Sequence, residues 1–474
     1  MKKRKSIVCI TLALLMVFFT FAAVGCGDSK VSQGEGDKVE STVSQEVDQS
    51  SSSVAEVKLA DDEINLWWFP LWSGLNGEAD GKADDWPKAM GKGFMEKHPN
   101  VKEVNVELLD WGTGIQKLDT AIAAGNPPDM CYIDLAWLPK YIKQDMVIPV
   151  DQYLKGGEKE DFYESTTDYA TYDGKLYAYP ILIAPRVMYA NKTLLDEMGL
   201  GNLLPLSGDH SWTIDQFKEI VNKFPYQKDG KKIYAAQVST VAGSFDELMW
   251  LWNFGATMYN DDETQFMLNS DKGIAGTEFL AQMFKEGKFR LLTGGAKSLE
   301  FWSGEFAFGI DMAYTMEKAT QIAKDKAPEA KKSKPDEFVA MQFPKGSGID
   351  AARTYSGIGG IPVFNVAGKD ENHTRTVAEF ASYITAGEKQ NVVKYLGCFP
   401  TRRSAGDIYG GDENAAVATS MLAHGEDLGR GEATSKIFTT YVHPAFESVF
   451  LGKKTAKEAL DELTAKANEV LNAK

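Results

Sequence analysis

The chain is 474 residues long, 43% hydrophobic and 11% aromatic, with a formal net charge of −16. That is the composition of a folded protein, and the length exceeds what one hydrophobic core usually serves, so at least two lobes are expected. The acidity argues against nucleic acid or anionic lipid as a partner, because both demand a positive surface.

The chain opens with Lys2, Lys3, Arg4 and Lys5, followed by an apolar stretch from Ile7 to Val24 and then Gly25 and Cys26. Charged, apolar and small residues in that order are the mark of a secretory signal. The small residues Ala22 to Gly25 directly before a cysteine resemble the lipobox of bacterial lipoproteins, with Ala23 where leucine is usual. The resemblance implies that residues 1–25 are removed and that Cys26 carries lipid, holding the protein at the extracellular or periplasmic face of a membrane. An uncleaved anchor is the alternative, since the stretch nearly spans a bilayer; the cysteine and the tail behind it favour cleavage. Cys9 leaves with the signal, so only Cys131 and Cys398 remain, no disulfide scaffold. Whether those two pair stays open.

Residues 27–57 contain eight serines and no Ile, Leu or aromatic residue. Such a segment buries too little apolar surface to offset the entropy of ordering, so residues 26–60 read as a flexible tether. Beyond it, EINLWW (63–68) reads as a strand and 86–100 as a helix. VNVELLD (104–110) alternates as a second strand, and 114–125 is a helix closed by Gly125. PPDMCYID (127–134) is a third strand, followed by a helix from Leu135 to Gln144. Later helices are expected at Ile214–Lys223, Asp271–Glu286, His373–Ala386 and Ala456–Leu471, and a loop over 325–337. Strands alternating with helices imply α/β with a mainly parallel sheet.

Signatures of catalysis are missing: HExxH, GxSxG, and complete GxGxxG or GxxxxGK motifs do not occur, and the five histidines are never at metal-ligand spacing. Asp261, Asp262 and Glu263 lack the alternating pattern of a calcium loop and read as a solvated turn. No pair of carboxylates stands out as a glycosidase pair. No enzyme, metal or cofactor is therefore expected.

Eight stretches in fixed order resemble the extracellular solute-binding proteins of ABC importers, in the carbohydrate-binding family that includes the maltose-binding proteins. They are AIAAGNPPDMCYID (121–134), KYIKQDMVIPVDQYL (140–154), YDGKLYAYPILIAPRVMYANKTLLDEMGL (172–200), SWTIDQF (211–217), FWSGEFAFGIDMAY (301–314), YSGIGGIPVF (355–364), EFASYITAGEKQ (379–390) and GCFPTRRS (397–404). One departure is Met188-Tyr189-Ala190-Asn191, where the family more often has two aromatics before the Asn. The resemblance implies a two-lobed periplasmic-binding-protein-like α/β fold with discontinuous lobes and a ligand cleft between them. Crossover strands would lie near Tyr179–Pro185, Thr354–Pro362 and Gly397–Arg402. The first lobe would then comprise 61–181 and 356–397, the second 182–355 and 398–474. It also implies a monomer that hands its ligand to the permease subunits of an ABC transporter.

A sugar offers apolar faces and many hydroxyls, so its site needs flat aromatics and a few orienting polar groups. Candidates at strand ends and cleft-facing loops are Trp72, Trp111, Asp134, Trp137, Arg186, Phe245, Glu247, Tyr314, Tyr355 and Arg402. For each tryptophan, packing is the competing reading; Trp86, Trp212 and at least one of Trp250 and Trp252 read as core. Aromatic richness favours a sugar, while Arg186 and Arg402 keep a phosphorylated solute such as glycerol phosphate open. A surface carbohydrate-active enzyme and a sensor on the same fold are the readings from other classes.

Overall fold

In the computed structural model of the protein, the described residues are 63–240, 244–292, 298–328, 331–426, 428–429 and 433–473. The expected export signal, Cys26 and the expected tether lie outside them.

The first lobe starts with the parallel sheet that the alternating apolar pattern predicts. Strand Glu63–Trp68 lies between Glu103–Leu108 and Met130–Cys131. Helices Asp85–Lys97 and Gly114–Ala123 follow the first two strands. The expected third strand is broken: Met130–Cys131 stays in this sheet, while Ile133–Asp134 pairs antiparallel with Gly359 and Gly360. The expected helix after it begins as a 3-10 turn, Leu135–Trp137, because the Asp134 side chain caps the Ala136 amide at 3.0 Å before Leu138–Lys143 winds normally.

The centre of the molecule is a strand of 14 residues, Ala178–Asn191. Its first half, to Leu182, packs in a core with Ile64, Trp68, Phe94 and Phe380. Its second half, from Val187, packs in another core with Phe217, Trp250 and Phe308. The strand Thr354–Pro362 returns beside it antiparallel, from Pro362 opposite Ala178 to Ser356 opposite Pro185. Its Tyr355 belongs to the second core and its Ile361 to the first. A short third segment, Phe399–Pro400, pairs with Leu182 and Ile183. These segments form the hinge of two lobes.

The second lobe extends the same sheet. Strands Tyr234–Ser239 and Phe289–Leu292 run parallel to each other, and Phe306–Met312 joins Tyr234–Ser239 to the long strand. Helix Ile214–Lys223 begins where SWTIDQF places it, because Thr213 and Gln216 form a reciprocal capping box. The C-terminal helix Ala456–Leu471 has the same device in Thr455 and Glu458. The chain past the third crossing departs from the expected lobe limits. Ile408 packs in the first core, Tyr409 lies against both, and from Ala415 on the chain packs in the second.

Candidate functional site

Register decides which side chains share a face of the hinge. Paired residues in an antiparallel sheet share a face, and alternate residues change face. On the return strand, Tyr355, Gly357 and Gly359 present one face. A Cβ added to Gly357 would lie 2.2 Å from the Tyr355 hydroxyl, and one on Gly359 would lie 2.2 Å from the Tyr132 hydroxyl. The absence of side chains at these two glycines therefore lets two tyrosines lie flat over the hinge. The Tyr355 hydroxyl donates to Asp134 Oδ2 at 2.8 Å, linking the second core to the strand end of the first lobe. Burial first, then the neighbouring Asp134, pushes the phenol of Tyr355 well above its ordinary pKa, so it is a donor at any working pH.

Aromatic rings continue from these tyrosines into both lobes. In the first lobe, Tyr132 packs on Trp68, centroids 5.4 Å apart, and meets the edge of Trp111 at 6.5 Å. Trp111 lies over Phe69 at 4.5 Å, and its indole N–H donates to the Pro70 carbonyl at 3.2 Å. With ring and N–H held in place, Trp111 is nevertheless 50% exposed. In the second lobe, Phe245 lies 5.0 Å from Tyr355 and is stacked with His443 at 6.2 Å. His443 Nδ1 is 2.8 Å from Glu247 Oε1, and Glu247 is fully buried.

Polar groups gather beside the rings. Arg186 reaches to 3.9 Å from Asp311, and its Nε is buried with no hydrogen-bond partner among the described residues. Asp311 is instead fixed by the Trp302 indole N–H at 2.9 Å. Asp246 accepts the Ser239 amide at 2.9 Å. Burial pushes the carboxyls of Asp246 and Asp311 above their ordinary range. Tyr314 packs against both cores and lies 6.4 Å from Trp302. Trp137 is half-buried on the first core, in the turn that lies alongside helix Ala433–Ile437 of the second lobe. The site is thus a stacking surface with one under-coordinated guanidinium and several carboxyl groups beside it.

Residues 89–419 match the sequence profile of the bacterial extracellular solute-binding proteins. The chain belongs to that family. A binding protein of Brucella abortus is 24% identical over 399 residues, covering 83% of this chain and 92% of the relative. The sn-glycerol-3-phosphate-binding periplasmic protein UgpB of Salmonella typhimurium is 22% identical over 433 residues, covering 85% and 92%. Among solved structures, the GacH receptor of Streptomyces glaucescens, studied unliganded and with acarbose, superposes with a TM-score of 0.69 at 17% identity, covering 87% of this chain and 99% of that one. At this identity the superposition speaks for the two-lobed fold. The hinge face just described lies where the two lobes meet.

Two expected site residues lie elsewhere. Trp72 is 6% exposed and packs edge-on against Trp86 at 5.1 Å and Trp68 at 6.1 Å, inside the first core. The loop after the first strand folds back on the helix that Trp86 opens, so the ring meets protein. Arg402 is 4% exposed. Its guanidinium bonds Glu158 at 2.7 Å and Thr385 at 3.2 Å, and lies 3.9 Å over the Phe162 ring, within the first lobe. Glu158 feels burial, but the Ser382 hydroxyl and Arg402 outweigh it and hold its carboxyl below the ordinary value. Glu247 backs the cleft through His443 and Phe245. The remaining candidates, Trp111, Asp134, Trp137, Arg186, Phe245, Tyr314 and Tyr355, gather around the hinge face or the turn beside it. Tyr132 and Asp311 were not foreseen. The glycines of SGIGG were the available signal for Tyr132, since bare backbone there leaves room for a ring. Cys131 and Cys398 are both free and buried.

Proposed function

We propose that the protein captures a mono- or oligosaccharide by closing its lobes over the hinge floor and delivers it to the permease subunits of an ABC importer. The observation that carries this reading is Trp111. A large ring locked by Phe69 and the Pro70 carbonyl, yet half exposed, is a stacking surface awaiting a flat apolar face. Sugar hydroxyls would then meet Asp134, Arg186 and Asp311 from the two lobes, so that closure brings contacts absent in the open form. The acarbose complex of the GacH receptor is in keeping with a sugar. The sequence-level reading adds that Cys26 carries lipid, that the protein works as a monomer, and that it releases its ligand unchanged.

A second reading, a phosphorylated solute, draws on the unpaired Nε of Arg186 and on the glycerol-phosphate-binding relative. It is the weaker one. Asp311 already lies 3.9 Å from that single arginine, and the guanidinium pulls against the buried Asp246 and Asp311 carboxyls, so it offers a dianion less than a free cation would. The decisive experiment is a thermal-shift screen across carbohydrates and glycerol phosphate, since a bound ligand stabilises by RT ln(1 + [L]/Kd). Stabilisation by one sugar series, with the sugar recovered intact by mass spectrometry, supports the proposal. Stabilisation by glycerol phosphate alone, or a cleaved product that tracks protein concentration, overturns it.

A further inference from the structure

The other face of the hinge holds a cavity of about 810 Å³ that sugar capture leaves unused. Ile183 of the long strand pairs with Ile358 of the return strand and with Phe399 of the third crossing, so these side chains form one row across the sheet. Ser356, two residues from Ile358, shares their face, whereas Tyr355 and Gly357 point to the cleft. Residues of helix Glu164–Tyr169 in the first lobe and helix Glu413–Leu422 in the second complete the walls, so an occupant touches both lobes. The volume lies within the roughly 300–1,000 Å³ of small-molecule sites.

The lining has a definite chemistry. Rings come from Tyr163, Tyr169, Phe399 and Tyr409, the last two 4.8 Å apart. Asp407, Asp412 and Glu426 supply carboxylates, and no Lys, Arg or His is among the described lining residues. Glu426 is paired with Arg353 at 2.8 Å. Asp412 accepts the backbone amides of Met316 and Ala415, and Asp407 those of Tyr409 and Gly410, and neither is in an ion pair with a described residue of the cavity. At the rim, the Arg403 guanidinium already sits 4.9 Å over the Tyr163 ring, which shows that a cation is accepted on an aromatic face here.

We propose that this cavity is a second small-molecule site, selective for a compact organic ammonium ion with an apolar or aromatic body. The isoleucine and phenylalanine row takes the body, and the tyrosine faces with Asp407 and Asp412 take the charge. A sugar would strand its hydroxyls against that row, and an anion would face two carboxylates.

The probe is benzyltrimethylammonium, titrated into the full chain beside neutral benzyl alcohol and anionic benzoate. Saturable binding of the cation is expected, with benzyl alcohol at least about fivefold weaker and benzoate weaker still. Asp407→Asn should weaken the cation by roughly fivefold, and Thr419→Trp, at an exposed lining position, should block it, while Trp111→Ala in the cleft should leave it unchanged. Equal binding of benzyl alcohol would overturn the cationic selectivity. No saturable binding, or loss of binding in Trp111→Ala with Thr419→Trp unaffected, would overturn the site.

Discussion

Arg186 and Arg402 occupy similar places in the sequence, each within two residues of a proline where the chain crosses between lobes, and they have opposite fates. Arg402 is sealed in the first lobe against Glu158, Thr385 and a phenylalanine ring. Arg186 stands at the hinge face with its side chain 24% exposed, and its nearest carboxylate, 3.9 Å away, is already held by a tryptophan. Each arginine keeps a buried Nε without a hydrogen-bond partner among the described residues, so solvent access and ion-pair distance separate them. A buried charge with every near neighbour committed to it serves the fold. One that keeps solvent access and makes no close ion pair is available to something else. The same contrast separates Trp72, enclosed by two tryptophans, from Trp111.

The contrast breaks most visibly in the fold. Arg402→Ala leaves Glu158 charged and buried, which should cost about 3–5 kcal/mol of unfolding free energy without changing ligand affinity. Denaturant melts and titration of the same variant check both halves. Because Glu158 is held below its ordinary pKa, the stability it adds is full above the unfolded carboxylate value near 4.3 and fades as pH falls through the folded value. Arg402→Ala should therefore flatten the acid limb of the stability profile. Trp72→Ala opens a core cavity and should cost on the order of 3–5 kcal/mol of stability, whereas Trp111→Ala should spare the fold and weaken sugar binding by about 1–3 kcal/mol. Equal stability losses for the two would erase the distinction between packing and site.

Arg186→Ala sharpens the comparison on the binding side. Loss of a charged hydrogen-bond donor should reduce affinity by about 1.5–3 kcal/mol in calorimetry, with little change in the melt of the unliganded protein. The smallest effect belongs to Asp246. Its folded pKa is raised by burial, so its ionisation costs nothing below the unfolded value near 3.9 and destabilises increasingly as pH climbs toward the folded value. Asp246→Asn keeps an acceptor for the Ser239 amide and should give a melting temperature that declines less between pH 4 and neutrality, by about a degree or two for each ~0.5 kcal/mol relieved.

Local chemistry was legible in the sequence. The capping residues Thr213 and Gln216 fixed a helix start, and the alternation in EINLWW fixed a strand, because both are decided by neighbours in the chain. The crossing strands were legible through family resemblance. What could not be read were outcomes settled by distant partners. Glu158 lies 244 residues from Arg402, and nothing in PTRRS announces it. Trp72 is buried by Trp86 across a loop whose path is set by tertiary packing. The break between Cys131 and Ile133, which turns Asp134 toward Tyr355, depends on a return strand more than two hundred residues on.

Phe245 opens its helix at φ 58°, a left-handed conformation that suits glycine and strains a residue with a bulky side chain. Glycine there would relieve strain on the order of 1 kcal/mol. The ring it removes, however, packs on Tyr355, Phe438 and His443, and truncating a packed phenylalanine costs about 3–5 kcal/mol. The same replacement would remove the ring between Tyr355 and His443, and with it the second lobe's share of the cleft wall. The strained turn is therefore held in place by the packing of the ring it presents, and a melting-temperature screen would reject the glycine for its lost contacts.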